Sequence, residues 1–242
     1  MSGRGASMAG ASARARYRAL RAQQRQERAV ARLVVSGVAG SMAAGLLGWL
    51  PGVAVGVGLL LAHLLYFRVR PCALTAWRRG AAAERRTGRR LSRLDPAYFH
   101  VLHDRALPGG LRVNLDHLVV GHTGVYAISS RRWPPLTRLR ADGRLWAGPR
   151  RLTRLPVRAR RAASVVADRI AAETGREVEV SPVIAVHGGR LPRGGILFDG
   201  VLLHRAERVN RLIERQPVLF TTAEVAAIAA AAERILPPMI DI

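Results

Sequence analysis

The sequence predicts a mixed α/β domain with an α-β-β-β-α-β core, preceded by a two-helix transmembrane hairpin. Three observations lead there. Residues 33–67 form a run of 35 without one Asp, Glu, Arg or Lys. Beyond residue 81, helical and extended patterns follow one another in that order. The chain has 242 residues, enough for one substantial core rather than two.

Composition narrows the function. The net charge is +23, and all 39 basic residues are arginine because no lysine occurs. A P-loop ATPase needs its lysine and Schiff-base chemistry needs an amine, so both classes are excluded. The single Cys72 excludes a disulfide framework and a cysteine-rich zinc site. Aromatics make up 5% of the chain, few for a base-stacking platform but no obstacle to phosphate binding. The all-arginine, alanine-rich composition matches a GC-rich bacterial genome, a statement about codons only. Residues 1–93 hold 17 arginines against Glu27 and Glu84, whereas residues 94–242 hold 22 against 14 acids. A strongly basic front end thus precedes a milder, globular rear.

Residues 1–32 read as a basic cytoplasmic helix, because Arg14, Arg18, Arg21, Arg25, Arg28 and Arg32 recur at steps of four and three and share one face. That stripe suits anionic headgroups or nucleic acid, or serves only as a topology signal. A single helix needs about 20 apolar residues to cross the hydrocarbon, so residues 33–67 are read as two helices. The turn is expected at Gly48-Trp49-Leu50-Pro51-Gly52, where glycine and proline punctuate. Arginines flank both ends, Arg28 and Arg32 before and Arg68, Arg70, Arg78 and Arg79 after. The positive-inside rule then puts the N-terminus and the soluble domain in the cytoplasm of a multi-pass cell-membrane protein. Gly37, Ser41 and Gly45 on the first helix, and Gly48, Gly52 and Gly56 across the turn, are spaced for close helix contact.

Residues 68–80 form a basic linker, and residues 81–242 the soluble domain. Its elements are a helix over 81–94, then extended stretches over 99–103, 113–121 and 124–131. A hairpin follows around Asp142-Gly143, with Trp146 beyond it. Residues 154–175 are helical with Gly175 at the C-terminal end, 177–187 form an apolar strand, and a short strand lies near Val201. Helices over 206–215 and 223–236 complete the chain. Thr221 and Glu224 form a capping box for the last, and Pro237-Pro238 stop it.

Within this region, Ala81-Ala-Ala-Glu84-Arg-Arg-Thr87, Asn114-Leu-Asp116-His-Leu-Val-Val-Gly121 and Gly124-Val-Tyr-Ala-Ile-Ser129-Ser-Arg131-Arg-Trp133 resemble the nuclease-related domain family, NERD. Gly143 to Gly148 and Val183 to His187 continue the resemblance, which spans residues 81–215. It implies a PD-(D/E)xK nuclease-like mixed sheet. It also implies a helix-borne Glu, an Asp on one strand and an acid-x-Lys pair on the next, which hold a divalent metal and activate water. Those roles fall on Glu84, Asp116, Ser129 and Arg131. Glu84 and Asp116 are the implied metal ligands, for Mg2+ or Mn2+ if the site is active. Two of the four positions have changed.

If His122-Thr123 is a two-residue hairpin loop, Gly121 pairs with Gly124. Asp116 then opposes Ser129 and Asn114 opposes Arg131, all four on one face. Ser129 brings no charge to a hard cation. Arg131 is never deprotonated, so it cannot move a proton as lysine might. His103, His117, His122 and His187 lack a zinc-ligand spacing. Arg150, Arg151, Arg154, Arg158, Arg160 and Arg161 make a solvated helix face or a phosphate-binding flank. The reading is a membrane-anchored protein with a degenerate nuclease-like site that binds nucleic acid or a partner at the membrane. The alternative is a weak metal-dependent phosphodiesterase.

Overall fold

The computed structural model describes residues 11–69, 73–107 and 114–239. Two compact units divide it, residues 13–79 and residues 80–242.

The first unit holds α1 (Ala11–Leu47) and α2 (Trp49–Val69). Each contains a stretch long and apolar enough to cross a membrane by length and composition, Ala29–Leu47 and Trp49–Tyr66, both at a mean hydropathy of 1.7. The turn is tighter than predicted. Gly48 alone breaks the helix, at φ +94°, a conformation that costs glycine little. Trp49 to Gly52 are already helical, with Pro51 in a first turn where its missing N–H is no loss. The close-contact stripe on α1 is also one residue earlier than predicted. A Cβ at Gly52 would lie 2.5 Å from that of Ala44, and Gly56 abuts Ser36 and Gly40, whereas nothing lies within 4 Å of Gly37 or Gly45. The face is Ser36, Gly40 and Ala44 against Gly52 and Gly56. The arginine stripe lies along α1 and its extension, but the side chains of residues 11–26 and 28 lie outside the described residues, as do Cys72 and residues 108–113.

α3 (Ala73–Leu91) begins within the predicted linker and enters the second unit. Three antiparallel strands follow, β1 (Phe99–Ala106), β2 (Asn114–Gly121) and β3 (Gly124–Arg132). A small sheet comes next, β4 (Leu139–Ala141), β5 (Leu145–Ala147) and β6 (Arg150–Arg151). The Asp142-Gly143 hairpin is its β4–β5 turn. Then come α4 (Arg154–Thr174) and β7 (Val180–His187), which runs parallel to β3. β8 (Ile196–Phe198) was not anticipated from the sequence; β9 (Val201–Arg205) was. A 3-10 turn (Ala206–Arg208), α5 (Val209–Glu214) and α6 (Thr222–Ile235) end the chain. The main sheet has the order β1-β2-β3-β7-β9-β8, a mixed α/β architecture with the predicted α-β-β-β-α-β core.

Period-two alternation distributes this sheet between two apolar layers. Leu118, Val120, Val125 and Ala127 face α4 and α6 through Val166, Ile170, Val225 and Ile228. Val119, Tyr126, Ile128, Val183 and Ala185 face α3 and α5 through Leu91, Val209 and Ile213. Each fully buried aliphatic contributes about 1.5–3 kcal/mol. Gly175 caps α4 through its N–H to Ala171, and Thr221 with Glu224 forms the predicted capping box of α6.

Candidate functional site

The β2–β3 hairpin has the predicted register, Gly121 opposite Gly124 and onward to His117 opposite Ile128. There the ladder ends. One step further, the Asp116 carboxylate takes the place of the backbone, accepting the Ser130 N–H at 2.6 Å. Asn114 does not face Arg131 across this ladder. It pairs with Ala106 of β1 and donates to Asp104 at 3.3 Å.

Arg131 Nη1 lies 3.5 Å from Asp116 Oδ2 and donates to the Ser130 carbonyl at 2.8 Å. Its side chain is 43% exposed while that of Asp116 is 4% exposed. The cation therefore caps a buried anion from the solvent side and keeps further donors free for an incoming anion. Ser129, partly exposed, pairs with Ile184 of β7.

Glu84 of α3 is buried within electrostatic reach of Asp116, Asp104 and Arg131. Burial first, then Asp116 and Asp104, push its pKa from the usual 4.5 to about 8. Glu84 therefore holds its proton at neutral pH. Burial raises Asp116 as well, Arg131 and the Ser130 N–H offset part of that rise, and Asp104 adds to it, so the net direction is upward.

Asp104 is a third buried acid, missed by sequence reasoning. It lies between the pairs His103–His117 and Arg105–Leu115, a position that opposes Asp116 from the other side. Its φ of +51° is a left-handed conformation that Asp tolerates better than most residues. The register of β1 on β2, which the sequence reading did not set, was the signal that would have found it.

Two polar groupings lie beside the acids. His103 Nδ1 and His117 Nδ1 are 2.8 Å apart in the core. Burial lowers both, His103 to about 4, so both rings are neutral and one donates to the other. Ser130 Oγ donates to Thr87 Oγ1 at 2.8 Å, and Thr87 Oγ1 lies 2.8 Å from His187 Nε2. Burial likewise lowers His187 to about 4. His122 instead packs against Tyr98 and Phe99.

Among the described residues no three His, Cys, Asp or Glu side chains are grouped to hold an ion. Asp116 Oδ2 and the Ser130 carbonyl, two hard oxygen donors, both lie against Arg131 Nη1. The predicted arginine flank at Arg150 to Arg161 is exposed, and Arg160 is held by Asp199 at 2.9 Å.

Residues 79–187 match the family model described as the nuclease-related domain. The match covers Glu84, Asp104, Asp116, Ser129 and Arg131 and ends at His187, short of the predicted 215. Comparison with curated proteins and with solved structures gives no match. The matched stretch runs from α3 to the end of β7, and the chain therefore carries a nuclease-related domain, NERD, at residues 79–187.

Proposed function

We propose that this is a membrane-anchored nuclease-related protein whose nuclease-like site is degenerate, and that it binds nucleic acid through phosphate contacts without cutting it. One observation carries the reading. Arg131 Nη1 bridges the Asp116 carboxylate and the Ser130 carbonyl, so a fixed positive charge stands between donors that would otherwise serve a cation. Guanidinium recognises phosphate oxygens with planar, paired donors. It does not give up a proton, so it binds the ester without activating water. The net charge of +8 over residues 94–242 supplies attraction beyond the site.

Membrane anchoring rests on the two apolar helices, of whose membrane-length stretches 0% and 6% are buried. Core helices of a water-soluble protein are mostly covered, so these need another apolar environment. Arginines at both flanks orient the hairpin with the N-terminus and the domain in the cytoplasm.

The test uses the full chain in detergent with labelled DNA and RNA, with and without Mg2+ or Mn2+. Binding should weaken by about 10-fold or more as salt rises from about 50 to about 200 mM, and no cleavage should exceed that of Asp116→Asn. Absence of binding at low salt points to a protein partner instead. Metal-dependent cleavage abolished by Asp116→Asn would establish the second reading, a weak phosphodiesterase. That reading draws support from three neighbouring buried acids, Glu84, Asp104 and Asp116, which a bound cation would favour in their charged forms.

A further inference from the structure

A cavity of about 530 Å³ opens where the parallel strands β3 and β7 end, at Arg132 and His187. Open α/β sheets commonly bind ligands beyond the carboxyl ends of such strands. Its rim carries Arg86, Arg89, Arg90, Arg93 and Arg132, against the single acid Glu207. Among the described residues none of the five arginines enters an ion pair, although other arginines of the domain do.

Three of the five, Arg86, Arg89 and Arg90, sit on α3 at intervals i, i+3 and i+4, one face of the helix, and Arg93 follows in the turn just beyond Leu91. Like charges at these spacings cost an isolated helix about 0.2–0.5 kcal/mol per pair. The helix dipole favours Arg89 and Arg90 in the last turn. It does nothing for Arg86 one turn earlier, nor for Arg132 on another element. A bound polyanion removes the repulsion among all five.

We propose that this cavity is a binding site for a nucleoside phosphate bearing at least two negative charges. Cavity size sets the ligand class, because a half-open site of this volume takes one nucleotide rather than the length of a duplex. The rim's excess of four positive charges sets the charge. Trp133 lines the wall and offers an aromatic surface to a base. The two sources of such a group are a free nucleotide and the phosphorylated end of a strand. The site is separate from Asp116 and does not depend on cleavage there.

Calorimetric titration of the full chain in detergent, at about 150 mM salt to suppress diffuse attraction, distinguishes them. The probes are pyrophosphate, ADP, and one short oligonucleotide with a 5′-phosphate or a 5′-hydroxyl. One-to-one binding of ADP is expected. The double variant Arg86→Gln/Arg132→Gln should weaken it by about 30-fold or more, and Arg89→Gln/Arg93→Gln comparably, through lost charge-assisted hydrogen bonds. Arg150→Gln/Arg158→Gln, outside the cavity, should change it by less than about 3-fold. A free-nucleotide site binds ADP more tightly than pyrophosphate and ignores the 5′-phosphate of the oligonucleotide. A strand-end site binds the 5′-phosphorylated oligonucleotide more tightly than the hydroxyl form, with ADP competing. No one-to-one binding of any probe, or equal losses in cavity and outside variants, would overturn the proposal. Diffuse nucleic-acid binding can persist in either case, so the failure of this site and that of the proposed function are separable.

Discussion

Arg131 and Asp116 form a cation and anion pair of unequal burial, 43% exposed on one side and 4% on the other, joined at 3.5 Å. The exposed partner shields the buried one. Arg131→Gln removes the charge but keeps a hydrogen-bonding head. It should destabilise the chain by only about 1 kcal/mol, because solvent screens the arginine. The midpoint of urea unfolding, followed by tryptophan fluorescence, measures this. A loss as large as that of a fully buried pair would mean that Arg131 is enclosed.

Restoring the family's residues should reverse the charge arrangement. Ser129→Asp with Arg131→Lys adds a second carboxylate beside Asp116 and frees the Asp116 oxygen from the guanidinium fork. Manganese binding, read by calorimetry, should appear in the double variant with a gain of about 10-fold or more over the parent, since paired carboxylates fill positions left to water. Each single change should do little. An added carboxylate without metal is repelled by Asp116, and lysine alone leaves the neutral Ser129. Adding Asp116→Asn should abolish the gain. No gain in the double variant would show that residues 116 and 129 do not share a site.

Acid and base act on stability in opposite directions. His103 and His187 fall from 6.5 to about 4 on folding. The unfolded chain therefore takes up protons first, and stability drops as pH falls from about 6.5 towards 4. Glu84 behaves inversely. Its pKa rises from 4.5 to about 8, so its contribution is present below 4.5 and is lost as pH rises through 8. Glu84→Gln should stabilise the chain at pH 8 by about 1–3 kcal/mol, with the difference vanishing below pH 4.5. Denaturant midpoints across that range test it. A destabilised Glu84→Gln at pH 8 would contradict protonated Glu84.

Reporters fused after Gly10 and after Ile242 should both read cytoplasmic, because two apolar helices cross and return. Opposite sides for the two reporters would leave a single crossing. Gly52→Leu should reduce the fraction with both ends inside, since a side chain there meets Ala44 at the contact between α1 and α2.

Local chemistry made much of the fold legible. Gly121 and Gly124 fixed the hairpin, Gly175 ended α4, and Thr221 with Glu224 began α6, each through interactions within a few residues. What escaped depends on distant partners. Four-residue spacing fits Gly37-Ser41-Gly45 as well as Ser36-Gly40-Ala44, and only the approach of α2 selects the latter. β8 is three residues long, too short for alternation to register. Asp104 fell just past the stretch predicted to be extended, 99–103, and its importance comes from β2 beside it. The arginine cluster at 86, 89 and 90 on α3 and at 93 just past it was readable from spacing alone. It acquired meaning only when β3 and β7 closed the cavity around it.

The rim of that cavity is made of guanidinium groups and contains no ammonium. Arginine keeps its charge at any pH where the chain stays folded, so the rim's attraction is constant from mildly acidic to strongly alkaline solution. A terminal phosphate gains its second charge near pH 6, so the phosphate's ionisation, not the rim's, would govern how pH tunes the match. Acetylation of lysine, a common way to erase surface charge, has no side chain to act on in a sequence without lysine.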